Sequence, residues 1–127
     1  MLNNNNLEAV FSHKVAAHLA GLGWIGKNCL LITPQYGPRL RLATILSDIQ
    51  IESGTPMANR CGTCTQCVDI CPSKALTDSA LSPDEPRNIR IDAQKCVKYT
   101  SDRMEIFGNA NYGLCVHVCP FGLRSRI

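Results

Sequence analysis

The stretch CGTCTQCVDICP, residues 61–72, spaces four cysteines as C-x2-C-x2-C-x3-C and ends in proline. Three thiolates at two-residue gaps on one loop can bind three irons of a cubic [4Fe–4S] cluster, and the cysteine before the proline characteristically ligates a second cluster. The spacing therefore predicts iron–sulfur chemistry. A structural zinc site is the alternative, but its usual spacing is two separated C-x2-C pairs. A disulfide framework is disfavoured, because four cysteines this close together cannot easily pair with one another.

A second group of cysteines repeats part of this pattern near the C-terminus. Residues 115–120 (CVHVCP) have the same C-x3-C-P spacing as residues 67–72 (CVDICP). The repeat suggests crossed ligation, in which the cysteine before each proline reaches the other cluster. The first cluster would then be bound by Cys61, Cys64, Cys67 and Cys119, and the second by Cys71, Cys96 and Cys115.

The second set is one thiolate short of four. Tyr112 stands three residues before Cys115, where a cysteine would complete a C-x2-C-x3-C run. The one remaining cysteine, Cys29, lies far upstream and is a candidate eighth ligand. The alternative is that Cys29 is a buried apolar residue on a strand, as free cysteines commonly are.

Length and composition indicate the broad class of protein. The chain has 127 residues, of which 45% are hydrophobic, so one globular domain with a sizeable core is expected. Eight cysteines without a signal-peptide pattern indicate a reducing compartment, and we expect a cytoplasmic location. No stretch approaches the roughly 18 apolar residues of a membrane span, so no membrane partner is expected.

The charge balance is mildly basic, with a formal net charge of +3. Several arginines could form a patch that binds RNA, but nucleic-acid-binding proteins are usually more basic, and an ordinary solvated surface is the simpler interpretation. These arginines are Arg39, Arg41, Arg87, Arg90, Arg124 and Arg126.

The sequence patterns predict an α+β fold in two parts. Residues 1–60 are expected to form a helix and a β-hairpin, and residues 61–127 a ferredoxin-like double [4Fe–4S] cluster region. Apolar residues recur at helical spacing over residues 7–20. The two strands of the hairpin are predicted over residues 29–33 and 39–46, with proline and glycine between them.

The cluster region is predicted to contain short elements between its cysteines. A short helix is expected around residues 65–71, a loop over residues 77–88 and a short strand over residues 89–91. Asp92 is a candidate N-cap for a helix that carries Cys96.

A glycine-rich segment, GLGWIGKN at residues 21–28, lies between the predicted helix and hairpin. Its glycines allow close approach of the backbone to a neighbour or a ligand. The spacing superficially resembles G-x-G-x-x-G, but the segment follows a helix and precedes a strand. Because dinucleotide-binding loops have the opposite order, the segment does not predict a nicotinamide site.

Other short segments accompany the cysteine motifs. They are Ala20–Asn28 (AGLGWIGKN), Pro34-x-Tyr36-Gly37, Asp92-Ala-x-x-Cys96, Tyr112-Gly113 and Cys115-x3-Cys119-Pro120. Together with residues 61–72 they resemble the C-terminal half of the epoxyqueuosine reductase family, over roughly residues 13–122. Members of that family are cobalamin-dependent, two-cluster iron–sulfur enzymes of tRNA queuosine modification. The region is also similar to the cluster region of corrinoid reductive dehalogenases.

The resemblance implies two [4Fe–4S] clusters and makes cobalamin a further candidate cofactor. Candidate corrinoid contacts are Gly23, Trp24, Gly26 and Lys27, with Trp24 against the flat macrocycle; the alternative is that Trp24 packs in the core. The family's second cluster normally has a cysteine at the position of Tyr112. The family's N-terminal half, with much of the corrinoid pocket and a catalytic carboxylate, is not in this chain, so no catalytic residue is assigned. The implied partner is that half or a redox protein, with tRNA reached through the partner.

Three functions compete at this point. The first is an electron-transfer domain or protein related to epoxyqueuosine reductase, which passes electrons through two clusters to a corrinoid or a partner. The second is a complete small corrinoid-dependent reductase. The third is a structural or regulatory protein whose metal stabilises a small core. Visible absorbance separates the third from the others, and corrinoid titration separates the first two.

Overall fold

Short helices and two-residue strands provide the regular structure of this chain. The computed structural model describes residues 2–3, 8–79, 85–108 and 113–123. The strands pair antiparallel as β1 with β2 and β3 with β4, so the predicted α+β class is confirmed. In chain order the elements are β1 (Leu2–Asn3), β2 (Glu8–Ala9), α1 (His13–Leu19), β3 (Trp24–Ile25), β4 (Leu31–Ile32), α2 (Gln66–Asp69), the 3-10 helix Arg87–Ile89, α3 (Ala93–Phe107) and α4 (Leu114–His117).

Helix α1 is shorter than the helix predicted over residues 7–20. It begins after Ser12, whose hydroxyl accepts a hydrogen bond from the Val15 N–H at 3.4 Å, as an N-cap does. The predicted apolar face is wrong, because Val15 and Leu19 are exposed. The buried face instead carries Ala17 and His18, and the His18 ring bonds the Gly23 carbonyl oxygen.

The hairpin forms upstream of its predicted position. β3 pairs with β4 in the register Trp24↔Ile32 and Ile25↔Leu31. The turn between them is closed by the Gly26 N–H, which donates to the Leu30 carbonyl at 2.9 Å. Cys29 lies in this turn with a φ of 62°, a left-handed conformation that a strand residue cannot adopt. The strand predicted over residues 29–33 is therefore reduced to β4.

The second predicted strand, residues 39–46, has no regular structure. The chain leaves the hairpin through an isolated bridge between Thr33 and Gly37. Arg39 then donates to the Phe121 carbonyl at 2.7 Å, which directs the segment towards the C-terminal part instead of along β4. Beyond it, Ile45 is 92% exposed.

The two helices predicted in the cluster region are present. α2 begins directly after the cysteine loop, inside the predicted range of residues 65–71. α3 begins at Ala93, after the N-cap Asp92, whose carboxylate accepts from the Lys95 N–H at 3.1 Å, and it carries Cys96 as predicted. With 15 residues α3 is the longest described element. None of the described helices has the length and apolar character needed to cross a bilayer.

The strand predicted over residues 89–91 is wrong. Ile89 ends the 3-10 helix, and Ile91 makes only a single β-bridge with Leu76. The next N–H, of Asp92, donates to the Ala75 carbonyl at 2.8 Å, so this segment is fixed just before α3 begins. Part of the loop predicted at residues 77–88 lies outside the described residues, namely 80–84.

Two small buried clusters take the place of the one sizeable core that was expected. Among the described residues, one cluster contains Trp24, Ile32 and Cys119. The other contains Cys71, Ala75 and Leu76. Each cluster is thus built around a cysteine that precedes a proline, so the candidate metal ligands are part of the packing.

Candidate metal centres

The four cysteines assigned to the first cluster line one pocket. They come from the loop before α2, from α2 itself and from the turn after α4, and they are Cys61, Cys64, Cys67 and Cys119. The same pocket is bordered by Lys27, Asn28, Ile32, Gln66, Pro120 and Phe121. Four thiols around one mostly apolar cavity fit a cubic cluster, which binds one thiolate per iron.

Backbone and amide hydrogen bonds fix the loop that presents Cys61 and Cys64. The Asn59 side chain accepts from the Cys61 N–H at 2.8 Å and donates to the Ile25 carbonyl at 3.1 Å. The Cys64 N–H donates back to the Cys61 carbonyl at 3.0 Å, which closes a tight turn. Asn59 therefore connects the cysteine loop to strand β3.

Cys119 is held from the opposite side of the pocket. It packs against Trp24 and Ile32 of the hairpin. The Trp24 and Phe121 rings meet edge to face, with centroids 4.8 Å apart. Arg39 donates to the Cys119 carbonyl at 2.9 Å. The hairpin and Arg39 thus bring the C-terminal cysteine to a loop far away in sequence.

The thiols of the first set influence one another electrostatically. Burial raises the pKa of the Cys67 thiol to about 11, and the neighbouring Cys61, Cys115 and Cys64 add to the rise. Burial is also the largest cause that raises the pKa of Cys119, with Cys61 and Cys64 contributing. Thiolates grouped in this way repel each other, and a bound cationic metal centre would relieve the repulsion.

Lys27 places a positive charge at the edge of the same pocket. Its side chain is only 9% exposed, and its ammonium lies 2.7 Å from the Asp78 carboxylate. The hydrogen bond with Asp78 raises the pKa of Lys27, and Cys61 and Cys64 contribute to the rise. Lys27 thus contributes a charged side chain to the lining of the first site.

The three cysteines assigned to the second cluster also come together. Cys96 of α3 and Cys115 of α4 both pack against the buried cluster that contains Cys71. Burial raises the pKa of Cys96, and Cys71 adds to the rise. Burial also raises the pKa of Cys115, and Cys96 and Cys71 add to that rise. Three thiols from three segments therefore share one buried site.

Cys71 differs from its neighbours because its sulfur accepts several hydrogen bonds. The Ala75 N–H donates to the sulfur at 3.4 Å, and the Ser73 hydroxyl lies 3.5 Å from it. Burial alone raises the pKa of Cys71, but the bonds from Ser73, Ala75 and Leu76 outweigh it and leave the pKa below its ordinary value. The turn after Cys71 is thus suited to a thiolate.

Cys29 lies in different surroundings. It is 3% exposed, and its carbonyl accepts from the Lys14 ammonium at 2.6 Å. Neither Cys96 nor Cys115 has Cys29 among the thiols that shift its pKa. These contacts favour Cys29 as a buried residue over Cys29 as the eighth ligand. Tyr112, where a cysteine was expected, lies outside the described residues.

The geometry does not favour the zinc alternative. Within the described ranges, no three His, Cys, Asp or Glu side chains converge closely enough to hold one metal ion. A structural zinc needs four ligands within about 2.3 Å of one centre. The thiolates of a cubic cluster bind different irons and stand farther apart, in keeping with four cysteines around a pocket.

The proposed corrinoid contacts are packed against the chain's own hairpin. Trp24 is 1% exposed, which favours its interpretation as a core residue, and the corrinoid contacts stay a prediction. A Cβ at Gly23 would overlap the Ile32 carbonyl, and one at Gly26 would overlap the Ile32 side chain. These glycines allow close approach of β4, not of a ligand.

The arginines considered for an RNA-binding patch have different surroundings. Arg90 is buried, and Arg39 is engaged with backbone carbonyls, whereas Arg41 is exposed. Arg124 and Arg126 lie outside the described residues. The described arginines therefore give no support to an RNA-binding face.

Sequence reasoning missed three residues that support the cysteines: Arg39, Asn59 and Ser73. Arg39 begins the segment of residues 39–46 that the sequence predicts as a strand, so a role at the cysteine turn is not indicated. Asn59 lies two residues before the first cysteine, the one local signal that was available. Ser73 follows the Cys71-Pro72 pair, where a hydroxyl can reach back to the sulfur.

Comparisons with known proteins agree with this geometry. Residues 60–122 match the family described as the 4Fe-4S double cluster binding domain. The chain is 38% identical to the epoxyqueuosine reductase of Gloeobacter violaceus over 125 residues, which cover 89% of this chain and 36% of that protein. The predicted resemblance to the iron–sulfur region of epoxyqueuosine reductases is thereby confirmed.

Solved structures give the same result. Epoxyqueuosine reductase from Bacillus subtilis superposes with a TM-score of 0.66 at 30% identity, over 88% of this chain and 30% of that one. An epoxyqueuosine reductase solved with an epoxyqueuosine-modified tRNA-Tyr stem loop has a TM-score of 0.66 at 27% identity, over 96% of this chain and 32% of that one. The chain spans about a third of the length of the relatives it matches.

Proposed function

We propose that this chain, whose residues 60–122 belong to the 4Fe-4S double cluster binding family, is the electron-transfer part of an epoxyqueuosine reductase-like system. In this proposal it holds two [4Fe–4S] clusters and passes electrons through them to a corrinoid or a partner protein. The observation that carries the proposal is the pocket lined by Cys61, Cys64, Cys67 and Cys119, next to a second group of three cysteines.

The adjacency of the two cysteine groups supports electron transfer. Cys67 lines the first pocket and also packs against the buried cluster around Cys71. Cys115, which belongs to the second group, adds to the rise in the pKa of the Cys67 thiol. α2, which carries Cys67, packs against α4, which carries Cys115. One electron could therefore pass between the sites without large movement of the chain.

The protein's own residues would control the two sites. Bound clusters supply one-electron chemistry, with potentials set by net charge, hydrogen bonds to sulfur and burial. Lys27 contributes positive charge beside the first site, and Ser73 a hydroxyl beside the sulfur of Cys71. Trp24 and Phe121 close one side of the first site against water.

The second site is proposed to be the more labile of the two. Its described ligands are three thiols, Cys71, Cys96 and Cys115. Three thiolates leave one iron of a cubic cluster without a cysteine, or support a cluster of three irons. A small molecule or a residue of a partner could then complete the site.

An exposed apolar segment supports the proposal that a partner polypeptide is needed. Ile45, Leu46, Ile49 and Ile51 are all largely exposed, between the hairpin and the cysteine loop. About two thirds of the length of the Gloeobacter violaceus relative lies outside the part that this chain matches. We propose that a polypeptide equivalent to that remaining part covers the segment and supplies the corrinoid pocket, the catalytic carboxylate and access to tRNA.

The partner can be tested with a pair of variants. The remaining part of the Gloeobacter violaceus relative, produced as a separate polypeptide, should co-purify with this chain. Ile45→Asp should abolish co-purification, whereas Ile106→Asp on α3, a control that is also largely exposed, should leave it intact. Equal loss with both variants, or no co-purification of the unaltered chain, would contradict this docking surface.

The function itself is tested by two assays on anaerobically purified chain. A chemical reductant should bleach its visible absorbance, since that requires only the clusters. The chain alone, given cobalamin, reductant and epoxyqueuosine-containing RNA, should form no queuosine, because no matched general acid is present and such a reduction needs a proton donor within hydrogen-bond reach.

Two outcomes would overturn the proposed function. A colourless preparation that contains stoichiometric zinc and no sulfide would favour a structural metal site. Queuosine formation that persists after removal of contaminating full-length enzyme would favour a complete small reductase. Tyr36 and Tyr99 would then be the first proton donors to test, together with Tyr112.

A further inference from the structure

Arg39 bridges the hairpin segment to the turn that presents Cys119. Its guanidinium donates to three backbone carbonyls: that of Phe121 at 2.7 Å, and those of His117 and Cys119 at 2.9 Å each. The His117 carbonyl ends α4, and the Cys119 and Phe121 carbonyls lie on either side of Pro120. At the end of a helix the last carbonyls have no helical N–H partner, and Arg39 supplies one here. A planar guanidinium can satisfy all three at once, which an ammonium cannot do as well.

Among the described residues, no carboxylate forms an ion pair with Arg39. The three ion pairs of the described residues are Lys27–Asp78, Lys95–Asp92 and Lys98–Asp102, and none includes Arg39. Arg39 is partly buried, and its charge acts on the Cys119 thiol by lowering its pKa against the larger effect of burial. A full positive charge is therefore held beside one ligand of the first site.

We propose that Arg39 is a positioning residue that also raises the reduction potential of the first cluster. The inference rests on the proposed function, because it requires a cluster bound by Cys61, Cys64, Cys67 and Cys119. Reduction adds one electron, so the net charge of the cluster falls by one. A nearby fixed cation stabilises the reduced form more than the oxidised form, and it does so more strongly in a partly buried site than in water.

The second cysteine group has a different arrangement around its Cys-Pro turn. There the sulfur of Cys71 accepts hydrogen bonds from Ser73 and Ala75. The carbonyls that Arg39 contacts belong to the turn of Cys119 and not to the turn of Cys71. Loss of the Arg39 charge should therefore act more strongly on the first cluster than on the second.

The test compares Arg39→Gln, Arg39→Lys and the control Arg41→Gln in reconstituted protein. Arg41 is two residues along the chain and exposed, so its replacement removes the same charge from water. Iron content reports on positioning, and an anaerobic potentiometric titration followed by electron paramagnetic resonance reports on potential. The signal of the first cluster is identified as the one missing from Cys119→Ala.

Arg39→Gln should lower the reduction potential of the first cluster. The equilibrium constant for its one-electron reduction should fall several-fold, where a tenfold fall corresponds to about 59 mV. The potential of the second cluster should change less than that of the first. Arg39→Lys should lose some iron, because the three-carbonyl contact is lost, but the cluster that remains should keep a potential near that of the unaltered protein. Arg41→Gln should change neither quantity.

An Arg39→Gln protein that retains the first cluster at an unchanged potential would overturn the proposal. If Arg39→Gln retains no first cluster, Arg39→Lys decides: a potential near that of the unaltered protein supports the charge effect, and a clearly lowered potential contradicts it. An unaltered protein that binds no cluster under any condition would overturn the proposed function itself, and with it this inference.

Discussion

Cys67 and Cys115 belong to different cysteine sets, yet their thiols interact: Cys115 is among the groups that raise the pKa of Cys67. Both side chains also pack against the buried cluster of Cys71, Ala75 and Leu76. The contact arises because the short helices α2 and α4 pack against each other. Two clusters bound by these sets would therefore be immediate neighbours.

This proximity predicts magnetic coupling between the clusters. When both are reduced, each carries an unpaired spin, and spins at neighbouring sites broaden and split each other's electron paramagnetic resonance signals. We expect the fully reduced protein to give a complex spectrum, and the half-reduced protein a simpler one. Two additive, uncoupled signals at full reduction would show that the sites are farther apart than the shared packing of Cys67 and Cys115 implies.

Replacing Cys29 with alanine should leave iron content and the signals of the reduced protein unchanged. Cys29 is buried in the turn of the hairpin, so loss of its sulfur should appear as reduced stability instead. Iron analysis and thermal unfolding of Cys29→Ala measure the two effects separately. Loss of one cluster in this variant would make Cys29 the eighth ligand.

The raised pKa of Cys67 predicts a pH dependence in the cluster-free protein. Its value is about 11, against an ordinary 9.0, so the folded chain holds the thiol proton more tightly than the unfolded chain. The stability from this group is complete below about pH 9 and is lost as the pH rises from there through about 11. Denaturant unfolding at several pH values should show the loss, and Cys67→Ser should reduce its slope. If the free energy of unfolding falls equally with pH in the unaltered chain and in Cys67→Ser, the raised pKa of Cys67 is contradicted.

Ser73 should tune the second cluster. Its hydroxyl lies 3.5 Å from the sulfur of Cys71, and a hydrogen bond to a ligand sulfur stabilises the more negative, reduced cluster. We expect Ser73→Ala to lower the potential of the second cluster and to leave the first unchanged. Ser73→Thr, which keeps the hydroxyl, is the matched control. A lowered potential in both variants would point to altered packing instead of a lost hydrogen bond.

The sequence predicted the cysteine groups because cluster ligands follow a local spacing rule. Cys61, Cys64 and Cys67 lie on one loop and α2, and Cys119, which the C-x3-C-P repeat assigns to the same cluster, lines the same pocket. That the four bind one cluster stays a prediction. The Asp92 cap of α3 was equally predictable, since capping depends on the residues within one turn of the helix. Both the spacing and the cap depend only on residues that are close together in the sequence.

The hairpin was misplaced because its position depends on contacts that are distant in sequence. Residues 39–46 alternate like a strand, but Arg39 bonds carbonyls about 80 residues away and takes the segment off β4. Conversely, Trp24 lies in a glycine-rich segment that resembles a ligand loop, yet it packs on Cys119 and Phe121. Periodicity cannot reveal which partner a segment finds in space.

The crossed assignment of the cysteines is tested most directly by two neighbouring variants, Cys115→Ala and Cys119→Ala. Both residues belong to the same short C-terminal segment, four residues apart. Iron and sulfide content, with electron paramagnetic resonance of the reduced protein, should show that each variant loses about four irons if both clusters are cubic, and that each retains a different cluster. The double variant should retain neither. If the two single variants retain the same cluster, with the same signal and potential, then Cys115 and Cys119 serve one site and the account is wrong.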